Sequence, residues 1–169
     1  LSPDFKLNRD EVFLVTGAGG SIGSELSKQI INLNPSKIIL VENTEINLFM
    51  VDNLLSIIAN KKQINVEIIP LLSSVCNSNN MEEIFKVHCP TYVFHAAAYK
   101  HVTLVEKNIP QAIYNNIYGT SVLCHLSNKY KVKYFTLIST DKAVNPKSIM
   151  GSTKKVSEGP SCCGNLTIP

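Results

Sequence analysis

The chain has 169 residues, enough for one domain that buries roughly 70% of its unfolded surface, and its 44% hydrophobic residues exclude bulk disorder. The formal net charge of +3 is small and the Lys and Arg residues are scattered, so the sequence does not predict nucleic-acid binding. No apolar run approaches the ~20 residues that span a bilayer, and residues 1–10 lack the pattern of a signal peptide.

Short apolar runs alternate along the chain with longer segments of helical period. Strands are predicted at 12–16, 38–41, 66–72, 92–95 and 132–139, and helices at 22–33, 45–59, 81–87, 110–130 and from 148 onward. In the second helix, Ile46, Phe49, Met50 and Leu54 fall on one side. Because each strand is apolar on both faces and precedes a helix, the sequence predicts a doubly wound parallel α/β sheet of Rossmann type. The expected strand order is 3-2-1-4-5.

The segment TGAGGSIG lies between the first predicted strand and the first helix, which is the context that a dinucleotide-binding turn requires. Gly17 permits the tight turn, and Gly23 allows the helix to pack closely on the strand. The backbone then approaches a pyrophosphate with its N–H groups; the residues assigned to this contact are Gly19, Gly20, Ser21 and Ile22. The alternative interpretation is a glycine-rich turn without a ligand.

A carboxylate follows the second strand. Glu42 comes nineteen residues after Gly23, where an acid accepts hydrogen bonds from both ribose hydroxyls and repels a 2′-phosphate. This position favours NAD over NADP. The alternative is a solvated carboxylate at a strand end, with Asn43 and Thr44 capping the next helix.

Polar residues also follow the fifth strand, at the sheet edge where ligands of open parallel sheets bind. Thr140, Asp141 and Lys142 offer a hydroxyl, a carboxylate and an ammonium group, which suit sugar binding and proton transfer. The alternative is an ordinary strand-end turn. Met150 and Lys154 share one helical face, from which Lys154 reaches cofactor ribose hydroxyls or is simply solvated.

The fourth strand closes with small residues, Ala96, Ala97 and Ala98, against which the ribose and nicotinamide of a cofactor can lie. His95 is interpreted as a strand-end histidine with satisfied hydrogen bonds. The loop that follows, with Lys100 and His101, lies at the same edge. Asn116, in the next helix, is expected either to hydrogen-bond strand backbone or to lie on the surface.

These segments resemble the extended short-chain dehydrogenase/reductase family: TGAGGSIG is similar to its TGxxGxxG turn and HAAA to its fourth-strand motif. The segments HAAAYKHVTLVE, NNIYGT and STDKAVNPKSIMGSTKK more closely resemble bacterial nucleotide-sugar 4,6-dehydratases of the polysaccharide-biosynthesis branch, over residues 12–158. The resemblance implies an enzyme that acts on UDP-N-acetylglucosamine with a tightly held NAD(P) and forms a 4-keto-6-deoxy sugar.

By the same resemblance, Thr140 would hold the 4-hydroxyl of the sugar, and Asp141 and Lys142 would share the acid and base work. Lys154 corresponds to the Lys of the family's YxxxK pair. Met150 occupies the Tyr position, as in the larger membrane-anchored dehydratases. The remaining assignments are Lys100 and His101 to the substrate, and Asn43, Ser74, Val75 and Asn116 to the cofactor.

Besides Met150, the sequence departs from the family pattern at Ser73, at Asn77, at Thr103 (where a Pro is usual) and at Gly159-Pro160. Ser73 stands where a glycine is usual, with a side chain that would crowd the adenine edge, and Asn77 stands where an Asp is usual. Gly159-Pro160 is expected to end the last helix early, because proline removes a donor and clashes with the preceding turn. Residues 1–158 are therefore interpreted as an NAD-binding domain and residues 159–169 as an aberrant tail, with the substrate domain missing. The sheet edge left uncovered favours self-association.

The favoured function is an NAD-dependent UDP-N-acetylglucosamine 4,6-dehydratase, present as its cofactor half. The alternatives are a nucleotide-sugar 4-epimerase and a non-catalytic nucleotide-binding fragment. The odd number of cysteines, without CxxC spacing, predicts reduced thiols and a cytoplasmic location, with any membrane anchor in segments outside this chain. The histidines do not cluster with these cysteines, so no metal site is predicted.

Overall fold

The structure, a computed structural model, describes residues 10–159 and the backbone of residues 166–167. The first five strands form a parallel sheet; they are β1 (Val12–Thr16), β2 (Lys37–Glu42), β3 (Glu67–Leu72), β4 (Tyr92–His95) and β5 (Tyr134–Leu137). A two-residue strand, β6 (Leu166–Thr167), pairs in parallel with β5. The order β3-β2-β1-β4-β5-β6 confirms the predicted doubly wound fold. The β6 pairing lies in the segment interpreted as a tail and was not predicted.

Helices follow the strands and cover both faces of the sheet. They are α1 (Ser21–Ile31), α2 (Glu45–Lys62), α3 (Ser78–His88), α4 (Val102–Lys107), α5 (Ile109–Ile113), α6 (Gly119–Lys129) and α7 (Ile149–Ser157). A π-helical turn, Tyr114–Tyr118, joins α5 to α6, so the single helix expected at 110–130 is interrupted. The short helix α4 was not predicted. Within residues 10–159, none of the helices has the length and apolar composition to cross a membrane.

The core consists of two apolar layers, one on each face of the sheet. Alternate residues of β1 divide between them: Leu14 packs in the layer with α3 and α6, whereas Phe13 and Val15 pack in the layer with α1 and α2. All three side chains are essentially inaccessible to solvent. Because the strands pair in parallel, their carboxyl ends lie at one edge of the sheet.

The buried face of α2 differs from the expected one. Ile46, Phe49 and Met50 are each more than 60% exposed. The positions that pack on the sheet are instead Leu48, Val51, Leu55 and Ala59. Apolar residues occur around most of this helix, so its periodicity alone did not identify the face that contacts β2 and β3.

Candidate functional site

The glycine-rich turn between β1 and α1 requires glycine at three positions, because a Cβ on Gly19 would lie 2.7 Å from the backbone of Asn47 and two other positions are at least as crowded. Gly17 has a φ of +65°, and a Cβ there would lie 2.7 Å from the backbone of Ala97. A Cβ on Gly23 would lie 2.0 Å from the carbonyl oxygen of Gly17. The backbone of β1, the turn and α1 therefore pass so close together that no side chain fits between them.

The first turn of α1 lacks the groups that normally cap a helix. Gly20 is the N-cap residue and offers no side chain, and no acidic residue follows in the first turn. The Lys100 Nζ atom donates a hydrogen bond to Ser21 Oγ across 3.2 Å. The start of α1 thus combines unsatisfied backbone amides, the positive end of the helix dipole and a nearby lysine. This combination suits an anion such as a diphosphate.

Glu42 is buried at the end of β2 and its carboxylate accepts three backbone amides. The Oε2 atom accepts from Gly19 N at 3.1 Å. The Oε1 atom accepts from Asn43 N at 3.0 Å and from Thr44 N at 3.2 Å. The carboxylate thus links the glycine turn to the start of α2 and fixes a negative charge beside the turn. Thr44 precedes α2, but its side chain makes no capping hydrogen bond.

Asn116 is buried within the π-helical turn and positions the loop after β4. Its Oδ1 atom accepts from Tyr99 N at 2.8 Å, and its Nδ2 atom donates to Tyr99 O at 3.0 Å and to Thr153 Oγ1 at 3.1 Å. The two bonds to Tyr99 go to the loop after β4 and not to the strand backbone considered from the sequence, and the side chain does not line the cleft. The neighbouring Asn115 faces the cleft instead.

His95 lies buried under the site between two hydroxyl groups. Its Nδ1 atom is 2.7 Å from Thr16 Oγ1, and its Nε2 atom is 2.9 Å from Thr120 Oγ1. Because the Thr120 hydroxyl donates to Asn116 O, we infer that Nε2 carries the proton and that Nδ1 accepts from Thr16. Burial, with the nearby charge of Lys154, lowers the pKa of His95 to about 3. The histidine is neutral and structural, as expected.

After β5, a short 3₁₀ turn spans Asp141–Ala143, and the Thr140 hydroxyl caps it by accepting from Lys142 N. The Thr140 hydroxyl donates to Asp141 Oδ1 at 2.9 Å, and Lys142 Nζ donates to the same oxygen at 3.3 Å. These bonds lower the pKa of the Asp141 carboxyl. Thr140 and Lys142 line the cleft, whereas Asp141 does not and its side chain is 86% exposed.

Two residues of α7 face the site from beside β5. Met150 and Lys154 are both buried and both line the cleft. Lys154 Nζ donates to the carbonyl oxygen of Ile138 at 2.8 Å. Burial lowers the pKa of Lys154 to about 8, although the Glu158 carboxylate opposes this shift.

These residues border one cleft of about 460 Å³ at the carboxyl ends of the strands. The assigned residues that line it are Gly17, Gly20, Ser21, Ile22, Gly23, Glu42, Asn43, Ser74, Val75, Ala96, Ala97, Ala98, Lys100, Thr140, Lys142, Met150 and Lys154. Those that do not are Gly19, His101, Asn116 and Asp141. Lining residues that the sequence did not assign to the site are Val41, Thr44, Asn47, Ser73, Tyr99, Asn115, Ile138 and Ser139. Each lies within five residues of an assigned position. Proximity to the predicted strand ends is therefore the sequence signal that could have identified them as lining residues.

A doubly wound parallel sheet with a glycine turn after β1, a carboxylate after β2 and a lysine on the helix after β5 defines the nucleotide-binding half of a short-chain dehydrogenase/reductase. A family model for polysaccharide biosynthesis proteins matches residues 13–163, and the chain belongs to that family.

Individual relatives agree with this assignment. The chain is 41% identical to the capsular polysaccharide biosynthesis protein CapD of Staphylococcus aureus, covering 88% of this chain and 24% of that protein. It is 32% identical to a UDP-N-acetylglucosamine 4,6-dehydratase (inverting) of Campylobacter jejuni, covering 86% of this chain and 41% of the relative. A solved UDP-glucose 4-epimerase from Thermotoga maritima, with UDP-glucose, superposes with a TM-score of 0.70 at 28% identity, covering 86% of this chain and 48% of that one. The chain thus spans less than half the length of each.

Proposed function

We propose that this chain is the NAD-binding half of a nucleotide-sugar 4,6-dehydratase that acts on UDP-N-acetylglucosamine. The observation that carries the proposal is that Thr140, Lys142 and Lys154 line the same cleft as the glycine turn and Glu42. Groups suited to proton transfer therefore lie beside groups suited to a dinucleotide. The similarity to the Campylobacter dehydratase supports this choice of reaction.

The residues of the cleft fit a dinucleotide along its length. The amides at the start of α1 and Lys100 would bind the diphosphate, and Glu42 would accept the hydroxyls of the adenosine ribose. At this position a carboxylate repels a 2′-phosphate, so the cofactor would be NAD. The small side chains after β4 leave room for the second ribose and its base, with Lys154 within reach of the hydroxyls.

Bound NAD would supply reversible hydride transfer for the sugar C4. The residues after β5 would orient the substrate and carry out the proton transfers of the reaction. The Thr140 hydroxyl would orient the 4-hydroxyl of the sugar, and the Lys142 ammonium group would donate a proton to the departing 6-hydroxyl. Asp141, whose carboxyl has a lowered pKa and is ionised, would accept the C5 proton as the 6-hydroxyl leaves. Its exposed side chain must turn towards the cleft to do so.

Cofactor binding is tested on the 169-residue chain itself. Isothermal titration with NAD and with NADP should show binding of NAD and much weaker binding of NADP. The Gly17→Val variant, which places a branched side chain against Ala97, should remove the NAD signal. A flat trace with both cofactors for the native chain would contradict the proposal.

The reaction is tested by joining residues 1–158 to the remaining sequence of the CapD relative. Incubation with NAD and UDP-N-acetylglucosamine should give a product lighter by one water, detected by mass spectrometry. The Lys142→Met variant should bind NAD and give no such product. A product of unchanged mass and altered stereochemistry would identify an epimerase instead, which the similarity to the Thermotoga epimerase makes the second candidate.

A further inference from the structure

Lys154 is held in the cleft by a single protein acceptor among the described residues. Its side chain is 7% exposed, and its Nζ atom donates to Ile138 O. An ammonium group has three donors, so at least two face the cleft or a neighbouring charge. A lysine buried in this way loses its proton readily unless an anion compensates for the lost hydration.

Glu158 supplies a carboxylate that acts on Lys154 by charge, without a direct ion pair between the two side chains. It lies one helical turn after Lys154, at the C-cap of α7, and its amide donates to Lys154 O at 3.1 Å. Its carboxylate accepts a hydrogen bond from the hydroxyl of Ser139. Since Ser139 directly follows Ile138, one dipeptide at the end of β5 anchors both the lysine and the carboxylate.

We propose that Glu158, held by Ser139, is a positioning residue that keeps Lys154 in its ammonium form at neutral pH for contact with the ribose hydroxyls of NAD. This inference rests on the proposed cofactor function. It adds a specific role for a residue that does not itself line the cleft.

The other charged groups around Lys154 do not supply this compensation. Glu42, in the same cleft, accepts three backbone amides, and Asp141 is exposed and bonded to Lys142. Lys100 and Lys142 line the same cleft and carry the same sign of charge. His95, beneath the site, is neutral. Glu106 on α4 accepts the amide of Ile149 at the opposite end of α7. Of the carboxylates in the described chain, Glu158 is the one whose charge raises the pKa of Lys154.

The test is the pH dependence of NAD affinity in the full chain. Removing the Glu158 charge as Glu158→Gln should move the midpoint of the dependence down by about one pH unit from about 8. With half of Lys154 protonated at pH 8 in the native chain, the variant should bind NAD about fivefold more weakly there and nearly equally at pH 6. Ser139→Ala, which frees the carboxylate, should shift the midpoint in the same direction by less.

Glu106→Gln is the matched control, because it also removes a carboxylate that contacts α7, and it should leave the midpoint in place. Equal weakening of NAD binding by Glu158→Gln at every pH would show a merely structural role and overturn the proposal, as would an unchanged profile.

A measurement without NAD separates this inference from the cofactor proposal. The ¹³Cε resonance of Lys154, assigned by its loss in Lys154→Arg, reports the titration of the ammonium group in the ligand-free chain. We expect a midpoint near 8 that falls in Glu158→Gln. If NAD does not bind but the midpoint falls, the cofactor proposal fails and the Glu158–Lys154 coupling stands. If the midpoint does not move, the coupling is wrong whether or not NAD binds.

Discussion

Replacement of Glu42 by glutamine tests how the chain selects its cofactor. The native carboxylate accepts three amides at 3.0–3.2 Å, and glutamine offers one oxygen in place of two. At least one amide, that of Gly19 in the native rotamer, would face an NH₂ group. In the proposed complex the carboxylate also accepts the ribose hydroxyls. A charge-assisted hydrogen bond contributes about 1.5–3 kcal/mol, so weakening one such bond to the ribose should weaken NAD binding by about tenfold or more.

The same substitution acts in the opposite direction on NADP. Two unit charges 4 Å apart near a protein surface repel by about 4 kcal/mol, and the variant removes the charge that faces the 2′-phosphate. We therefore expect the preference for NAD over NADP to fall by at least about tenfold, equivalent to about 1.4 kcal/mol.

Isothermal titration with both cofactors at low and moderate salt measures this ratio. Glu45→Gln, at an exposed carboxylate only three residues away, is the control and should keep the native ratio. A native chain that binds NADP as tightly as NAD, or a Glu42→Gln ratio equal to the native one, would refute the role given to Glu42.

Three further substitutions test the frame of the site. Gly23→Ala puts a Cβ 2.0 Å from Gly17 O, so we expect the free energy of unfolding to fall by about 1–3 kcal/mol in urea denaturation, with loss of NAD binding. His95 has a pKa of about 3 when folded against 6.5 ordinarily, so the unfolded chain binds the extra proton and stability falls as the pH drops below 6.5. The loss should be about 2 kcal/mol by pH 5 in urea denaturation, and a His95→Gln variant that loses as much would contradict the pKa assignment. Asn116→Ala leaves the Tyr99 amide without its partner, so the free energy of unfolding should fall by about 2 kcal/mol. Asn53→Ala, on the exposed side of α2, is the control and should change it by no more than about 0.5 kcal/mol. Equal losses at both positions would be inconsistent with the structure.

The sheet was predictable because its strands carry their signal locally. The bounds of β1 and β4 agree with the predicted apolar runs. Because these strands are buried on both faces, they appear in the sequence as continuous apolar runs and not as an alternation of apolar and polar residues. The glycine turn was predictable for a related reason. Gly17 and Gly23 are required by close backbone approaches that a short motif specifies.

Features that depend on contacts between distant segments were not predictable. The π-helical turn at Tyr114–Tyr118 directs Asn116 inward, where it bonds the loop after β4. Nothing in the local sequence pattern indicates that the helix widens into a π-helical turn there. Likewise, Asp141 and Lys142 are adjacent in sequence, but the 3₁₀ turn directs only Lys142 into the cleft. Side-chain direction at a strand end is set by the turn that follows it, which residue type alone does not determine.

The most direct measurement is a ¹H–¹⁵N correlation titration of the labelled chain with NAD. A diphosphate bound at the start of α1 should shift the amide resonances of Gly20, Ser21 and Ile22 most strongly, and ribose contact should shift those of Asn43 and Thr44 next to Glu42. The amides of α3, which lie away from the cleft, should stay in place. Saturating NAD that leaves the α1 amides unshifted, or that shifts residues outside the cleft alone, would contradict a dinucleotide site at this edge of the sheet.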